Sequence, residues 1–190
     1  KRSFKIVKYI IFILIFIYPL NIFASPKQLI QSKLEETNNI SFKFIQKIGK
    51  KTEKGQCIIS YPKKIICNYD GIYKKILVSN GKSLVINSKK ITNYLRYQLE
   101  DTPLNLILDK KFLVEKLDKV EKIKENKESF SFEIIHNKNL LNIFFDKKSY
   151  DIKGWTTTDV YLNTVETKLL DIRTNMMIDK SLFSVQNYIN

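Results

Sequence analysis

The chain has 190 residues and a formal net charge of +14, which indicates one domain and raises the question of an anionic partner. Hydrophobic residues make up 44% of it, too many for a disordered chain, and five Gly and four Pro exclude collagen-like and proline-rich architectures. Three of the 33 cationic residues are arginine, whose planar fork makes the bidentate contacts with phosphates and bases. The charge therefore does not indicate a nucleic-acid-binding protein, and no nucleic acid is expected as a partner.

Residues 1–24 have the layout of a secretory signal peptide, in which positive charges precede an apolar run and a small residue. The apolar run ends at Ala24, and the positive residues before it are Lys1, Arg2, Lys5 and Lys8. An uncleaved anchor is the alternative, but the run is shorter than the about 20 residues of a membrane span. We expect export and cleavage after Ala24, which leaves residues 25–190 as a single domain.

A helix and then a strand are predicted at the start of this domain, over residues 26–37 and 40–48. Ser25-Pro26 is typical of a helix start, because Ser accepts a hydrogen bond from the first turn and Pro fits the first helical position. Phe42 and Phe44 alternate with polar residues, and this period of two places both rings on one face of the strand.

Both cysteines of the chain flank a predicted hairpin that bends at Pro62. A loop centred there places Cys57 directly opposite Cys67, and opposed positions have Cβ atoms about 4.5–5.5 Å apart, near disulfide range. Exported proteins also fold where disulfides persist. We expect a structural Cys57–Cys67 disulfide, and two small buried thiols are the alternative.

The rest of the chain is predicted to be mostly strands, with one more helical region. Asn80-Gly81 between two apolar runs is a strong hairpin signal. A second helix is expected from Pro103 to residue 108, with helical character continuing as far as Leu117 and Asp109-Lys110-Lys111 resembling a helix end. Later strands are expected near 129–134, 140–145, 154–162 and 165–172. About ten amphipathic antiparallel strands must curl into a barrel or half-barrel to cover one face.

Catalytic and metal-binding residues are scarce in this sequence. His136 is the single histidine, so any Ser-His-Asp scheme must include it, yet it lies beside Asn137 at a predicted strand end, where an exposed turn histidine is expected. One His and two distant Cys are a poor zinc-ligand set, and the glycines form no phosphate-binding motif. We therefore expect no metal and no cofactor, and a binding protein rather than an enzyme. A secreted hydrolase that depends on His136 is the enzymatic alternative.

Five short motifs follow one another along the chain. They are Phe42-x-Phe44-x-Gln46, Gly55-x-Cys57, Tyr61-Pro62-Lys63 with Tyr69, Ser79-Asn80-Gly81-Lys82-Ser83-Leu84, and Asp101-Thr102-Pro103-Leu104. In this order and spacing they resemble the outer-membrane lipoprotein carrier proteins of the LolA family, over roughly residues 26 to 185. Gly154-Trp155 and Leu182-Phe183 also resemble the family's carboxy-terminal strands, although less specifically.

The resemblance implies a mostly β fold with some α-helix: an unclosed antiparallel β-barrel, covered by a lid of short helices around a hydrophobic cavity. Members of the family carry acylated lipoproteins through the periplasm, from an inner-membrane ABC transporter to an outer-membrane acceptor. A monomeric periplasmic carrier is therefore expected here, with the helical segments 26–37 and 103–108 as its lid. The alternative is a related half-barrel protein that binds another lipid or senses envelope proteins.

The expected acyl-chain site consists of apolar residues on strands and lid. Periodicity places Phe42 and Phe44 on one face, and the resemblance assigns Ile65. Many family members have an Arg before the hairpin proline that hydrogen-bonds the lid shut, and because this chain has Tyr61 there, we expect its hydroxyl to help close the lid. An ordinary hydrophobic core is the alternative explanation of the apolar set, which comprises Phe42, Phe44, Ile65, Ile86, Leu104, Ile107 and Leu108.

Overall fold

A computed structural model describes residues 24–88, 90, 93–136, 139–159 and 163–189, so nearly all of the predicted signal peptide lies outside the described residues. Three α-helices occur in it: α1 Pro26–Glu36, α2 Leu104–Leu108 and α3 Lys110–Lys119. Within the described part of the chain, no helix is both long enough and apolar enough to cross a membrane.

Eleven antiparallel strands form one sheet, in the order β6-β5-β4-β3-β2-β1-β11-β10-β9-β8-β7. The two edge strands, β6 and β7, do not pair with each other, so the described sheet is unclosed, as the family resemblance implied. The strands are β1 Asn39–Ile48, β2 Lys51–Ser60, β3 Lys64–Tyr69, β4 Ile76–Asn80, β5 Ser83–Asn87, β6 Leu95–Gln98, β7 Lys124–Glu125, β8 Ser129–His136, β9 Asn139–Asp146, β10 Ile152–Thr158 and β11 Thr164–Thr174.

The predicted hairpins are present in the sheet. At the Asn80-Gly81 turn, Gly81 has a φ of +100°, which L-residues rarely adopt, and the side chain of Asn80 accepts hydrogen bonds from the backbone N–H groups of Lys82 and Ser83. In the Pro62 hairpin, Cys57 lies opposite Cys67, and the two form a disulfide. Local turn chemistry thus explains the register of strands β2 to β5.

The first helix confirms its prediction. The side chain of Ser25 accepts from the backbone N–H of Gln28, whose own side chain accepts from the N–H of Ser25, so the helix starts with a complete capping box. The helix ends at Glu36, next to a buried Thr37 whose hydroxyl donates to the carbonyl of Lys33.

The predicted continuous second helical region is in fact two helices that meet at Asp109. The carboxylate of Asp109 accepts a hydrogen bond from the backbone N–H of Phe112 at 3.2 Å and so begins α3. The interpretation of Asp109-Lys110-Lys111 as a helix end was therefore incomplete, because α2 ends before Asp109 and a new helix starts after it.

The carboxy-terminal segment differs from the predicted strand at Leu182-Phe183. Residues Lys180–Phe183 and Val185–Tyr188 form short 3₁₀ helices, and the side chain of Asp179 caps the first by accepting from the N–H of Ser181. Phe183 and Val185 pack on the outer face of strands β3 to β5, against Ile66, Val78 and Val85. Apolar residues here serve to cover the sheet and do not extend it.

The main core lies on the other face of the sheet, which we call the inner face. It contains Phe42 and Phe44 from β1 and also Ile107, Leu113 and Leu117 from the helices, all of them buried. Helices α2 and α3 therefore cover the inner face, and this arrangement leaves room for a cavity between helix and sheet.

The disulfide is expected to stabilise the fold measurably. It closes a loop with a sequence separation of 10, for which the chain-entropy relation gives about 2–3 kcal/mol of unfolding free energy. Replacing Cys57 and Cys67 together by alanine should lower the free energy of unfolding by this amount, which is measured as a lower midpoint of urea denaturation. Reductant should produce a similar loss in the unmodified protein and none in the double variant. An unchanged midpoint would contradict a stabilising role.

Candidate functional site

A partly enclosed cavity of about 240 Å³ lies between the inner face of the sheet and helix α2. Most of its wall is apolar, and the wall residues come from strands that are far apart in the chain. The apolar wall residues are Phe42, Phe44, Cys57, Ile65, Cys67, Tyr69, Leu77, Leu84, Ile86, Pro103, Leu104, Ile107, Trp155 and Val165. Such a surface favours a ligand with hydrocarbon groups, because burial of apolar area is the main source of affinity there.

Six of the seven residues expected to contact acyl chains lie on this wall. The seventh, Leu108, is fully buried in the core and is not part of the wall. It is the last residue of α2, and its carbonyl accepts a hydrogen bond from the backbone N–H of Lys63 at 2.8 Å. The six wall residues are Phe42, Phe44, Ile65, Ile86, Leu104 and Ile107.

Two aromatic pairs shape the sheet side of the cavity. Phe42 meets Trp155 edge to face with ring centroids 6.3 Å apart, and Phe44 meets Tyr69 at 4.9 Å. The ring of Phe44 lies against Gly55 on the neighbouring strand, where an added Cβ would come within 2.9 Å of the ring and 2.2 Å of a backbone oxygen. Glycine at this position therefore leaves the space that the ring of Phe44 occupies.

One end of the cavity is polar. Five of its wall residues there carry hydroxyl, amide or carboxylate groups: Gln46, Thr157, Thr158, Asp159 and Thr167. The side-chain amide of Gln46 donates to the hydroxyl of Thr167 at 3.0 Å. The hydroxyl of Thr157 is buried and has no hydrogen-bond partner among the described residues. The carboxylate of Asp159 accepts two hydrogen bonds from Asn163, one from its backbone and one from its side chain.

Charged residues near this end are already paired. Glu53, the cross-strand neighbour of Gln46, binds Lys75 at 2.6 Å and Lys51 at 2.8 Å. Burial raises the pKa of Glu53, but hydrogen bonds and attraction from the two lysines outweigh it, so the pKa lies below the ordinary value. Lys75 also lies 3.7 Å from the ring centroid of Tyr69, whose pKa is raised by burial and by the charge of Glu53.

The helices α1 and α3 form a unit in which a lysine of each caps the end of the other. Lys110, at the start of α3, donates to the carbonyls of Glu35 and Thr37 at the end of α1, both at 2.8 Å. Lys27, at the start of α1, donates to the carbonyls of Asp118 and Val120 at the end of α3, at 2.6 and 2.9 Å. Cations at both carboxyl ends satisfy free carbonyls and oppose the helix dipoles.

The contact between the hairpin and the helices is not the one expected from the sequence. The hydroxyl of Tyr61 is buried without a hydrogen-bond partner among the described residues, and burial raises its pKa. Two residues later, Lys63 donates its backbone N–H to Leu108, and its ammonium lies 3.4 Å from the carboxylate of Asp109. Lys63 therefore joins the hairpin to the α2–α3 junction.

His136 is not the exposed turn residue predicted. It is partly buried at the end of β8, with its ring 5.2 Å from that of Phe112 on α3 in an edge-to-face contact. Among the described residues, no three or more His, Cys, Asp or Glu side chains are grouped so that they could hold a metal ion.

Sequence reasoning missed the polar end of the cavity and the role of Lys63. Gln46 continues the alternation of Phe42 and Phe44, so the pattern alone could have placed it on the inner face. Nothing local identifies Thr167, which lies beside Gln46 only because β1 pairs with β11. No sequence pattern identifies the role of Lys63 either, because its contacts with Leu108 and Asp109 depend on where α2 ends.

Comparison of the chain with models of known protein families gives a match. The family model described as outer membrane lipoprotein carrier protein LolA matches residues 35–186 of this chain. No curated protein sequence matches it.

Three solved structures illustrate the structural similarity. An uncharacterized conserved protein from Thermus thermophilus has a TM-score of 0.51 at 6% identity, over 83% of this chain and 93% of that one. A putative outer membrane lipoprotein-sorting protein domain from Vibrio parahaemolyticus has 0.49 at 8% identity, over 83% and 94%. A LolA superfamily protein from Nitrosomonas europaea has 0.47 at 8% identity, over 86% and 100%. Of these three, the Thermus structure alone exceeds 0.5, and at this identity it supports a shared fold and nothing more.

Asp109 is expected to stabilise the protein as a helix cap more than as an ion-pair partner. The pair with Lys63 is partly exposed, and such pairs contribute about 0–1 kcal/mol, whereas replacing an Asp cap by Ala costs about 1 kcal/mol. Asp109→Ala should therefore lower the free energy of unfolding by about 1 kcal/mol, while Asp109→Asn and Lys63→Met should each change it by less than about 0.5 kcal/mol. Chemical denaturation measures all three, and an equal loss in Lys63→Met would show that the ion pair dominates.

Proposed function

This chain belongs to the family of outer membrane lipoprotein carrier proteins, LolA, and from that premise we propose that it binds the acyl chains of lipoproteins in its cavity. The observation that best supports this proposal is the apolar cavity between the inner face of the sheet and helix α2. In this proposal the protein receives acylated lipoproteins from an inner-membrane ABC transporter, crosses the periplasm as a monomer and delivers them to an outer-membrane acceptor. The polypeptide acts as a carrier and not as an enzyme.

The physical need for a carrier follows from the cost of exposing acyl chains to water. Each buried CH₂ contributes about 0.8 kcal/mol, so a lipoprotein with several long chains does not cross an aqueous compartment without a protein surface to cover them. The cavity wall supplies such a surface from aromatic and aliphatic side chains, including Phe42, Trp155 and Leu84.

The size of the cavity supports a lid that moves. An apolar cavity of about 150 Å³ accommodates one benzene molecule, so by the same ratio a cavity of about 240 Å³ has room for about ten carbon atoms. A myristoyl chain alone has about fourteen carbons. In this proposal loading moves α2 away from the sheet, which disrupts the burial of Ile107 and Leu108 as well as the backbone hydrogen bond and the partly exposed ion pair at Lys63.

The second candidate, a related half-barrel protein that binds another lipid or senses envelope proteins, differs in its ligand. The two candidates can be separated by mass spectrometry of the molecules that remain bound to the tagged protein after export. Retained lipoproteins support the carrier, whereas a free lipid or a non-acylated envelope protein supports the alternative.

A carboxylate on the cavity wall should prevent acyl binding. Leu104 is half-buried on the lid side, so Leu104→Glu should leave the protein folded while it lowers the affinity for a diacylated lipopeptide at least tenfold, because burying a charge beside hydrocarbon is costly. Ile65 is 1% exposed, so Ile65→Glu should lose binding and also lower the melting temperature. Asn105→Glu, on the same helix but not on the described wall, is the matched control and should bind normally.

The comparison of binding with melting temperature decides between a cavity and an ordinary core. If Leu104→Glu alters neither quantity while Ile65→Glu unfolds the protein, these residues are surface and core, and the carrier proposal fails. Loss of lipopeptide binding by a folded Leu104→Glu, with normal binding by Asn105→Glu, supports it.

A further inference from the structure

The polar end of the cavity has hydrogen-bonding groups that the apolar ligand surface does not use. Gln46, Thr157 and Thr167 come from three different strands, and the pairing of these strands brings them together. Thr157 lies opposite Val165 and Thr167 lies two residues further along β11, which makes the two threonines diagonal neighbours, about 7–8 Å apart. This is a suitable spacing for contacts with one small polar group.

The hydrogen bonds in this cluster leave donors available. The oxygen of the Thr167 hydroxyl accepts a hydrogen bond from the side-chain amide of Gln46, so this bond does not use the hydroxyl proton of Thr167. The hydroxyl of Thr157 has no partner among the described residues, although the oxygen atom is buried. A buried hydroxyl without a partner costs free energy, and a rotation of the Thr157 side chain that turns its hydroxyl into the cavity would let a ligand oxygen accept its proton and recover that cost.

The charges around the cavity select against an anionic polar group. Among the described wall residues there is no Lys or Arg, and the wall does include the carboxylate of Asp159. The two lysines beside this end, Lys51 and Lys75, both bind Glu53. An anionic headgroup placed here would lose its hydration without gaining a cation, in a protein whose net charge is nevertheless +14.

From these observations, and resting on the proposed acyl-binding function, we propose that the Gln46–Thr157–Thr167 cluster is a subsite for an uncharged carbonyl linkage. The ligand class is an acyl ester or acyl amide, with its hydrocarbon chains among the aromatic residues and its carbonyl oxygen at the hydroxyl of Thr157. The subsite discriminates against lipids whose polar group carries a phosphate. It thus distinguishes acylated proteins and neutral glycerides from membrane phospholipids.

The first test compares lipids with identical chains on the unmodified protein. Dipalmitoylglycerol, a dipalmitoylated S-glyceryl-cysteine peptide and dipalmitoylphosphatidate are each titrated at about 0.15 M salt, where screening limits the effect of distant charges. The two ligands with neutral linkages should bind with similar affinity and the phosphatidate at least tenfold more weakly. This preference would run against the net positive charge of the chain, and equal or tighter binding of the phosphatidate would overturn the proposal.

The second test uses the Thr157 hydroxyl itself. Thr157→Val keeps the shape and removes a hydroxyl without a described partner, so the ligand-free melting temperature should stay the same or rise, while the affinity for dipalmitoylglycerol should fall about fivefold, the ratio for one hydrogen bond of about 1 kcal/mol. Thr157→Ser should retain affinity. Thr156→Val, at the adjacent position of β10 that faces the other side of the sheet, is the matched control and should bind normally.

The outcomes separate this inference from the proposed function. If Thr157→Val binds dipalmitoylglycerol as tightly as the unmodified protein, the hydroxyl is incidental and the subsite is wrong, while acyl binding stands. If none of the three ligands binds, acyl binding itself fails and the subsite fails with it. A lower affinity of Thr157→Val at an unchanged or higher melting temperature, together with normal binding by Thr156→Val, supports the subsite.

Discussion

The pairing of the first strand with the last, β1 with β11, is the contact on which the remaining architecture depends. Within the described sheet, every other pairing joins strands that are consecutive in the chain, so hairpins could form without it. This one pairing joins two meanders into a single sheet and brings Phe44 opposite Leu169 and Gln46 opposite Thr167. The cavity wall contains residues of both meanders, and therefore the cavity exists only when this long-range pairing has formed. Its loop-closure cost makes it a slow step relative to the local hairpins.

The same topology explains why helices cover the inner face. Strands β6 and β7 are consecutive in the chain but lie at opposite edges of the sheet. The segment between them must cross from one edge to the other, and it does so across the inner face as α2 and α3. Helix α1 then joins α3 through the reciprocal contacts of Lys27 and Lys110. The cover is thus a consequence of strand order, and it is held both by the burial of Ile107, Leu113 and Leu117 in the main core and by the polar contacts at the helix ends.

Local patterns predicted the sheet well because turn chemistry and a period of two act over a few residues. The Pro62 hairpin determined the pairing of Cys57 with Cys67, and the structure contains the disulfide. The same patterns failed where a residue's role depends on distant packing. The apolar spacing continues across Asp109 and so conceals the break between α2 and α3. Apolar residues near Phe183 form a helical cover on the outer face because strands β3 to β5 are already paired on both sides. Six of the fourteen apolar wall residues were predicted from alternation and resemblance, whereas the polar end required the position of β11.

The sheet side of the cavity and its helical cover are held in place by different interactions. The wall resists collapse because a disulfide joins β2 to β3 at Cys57 and Cys67, and because the ring of Phe44 is held against Gly55. The lid is joined to the hairpin more weakly, through Lys63. The proposed function assigns different roles to the two surfaces: in it the sheet retains the shape that gives affinity, and the helices move to allow exchange.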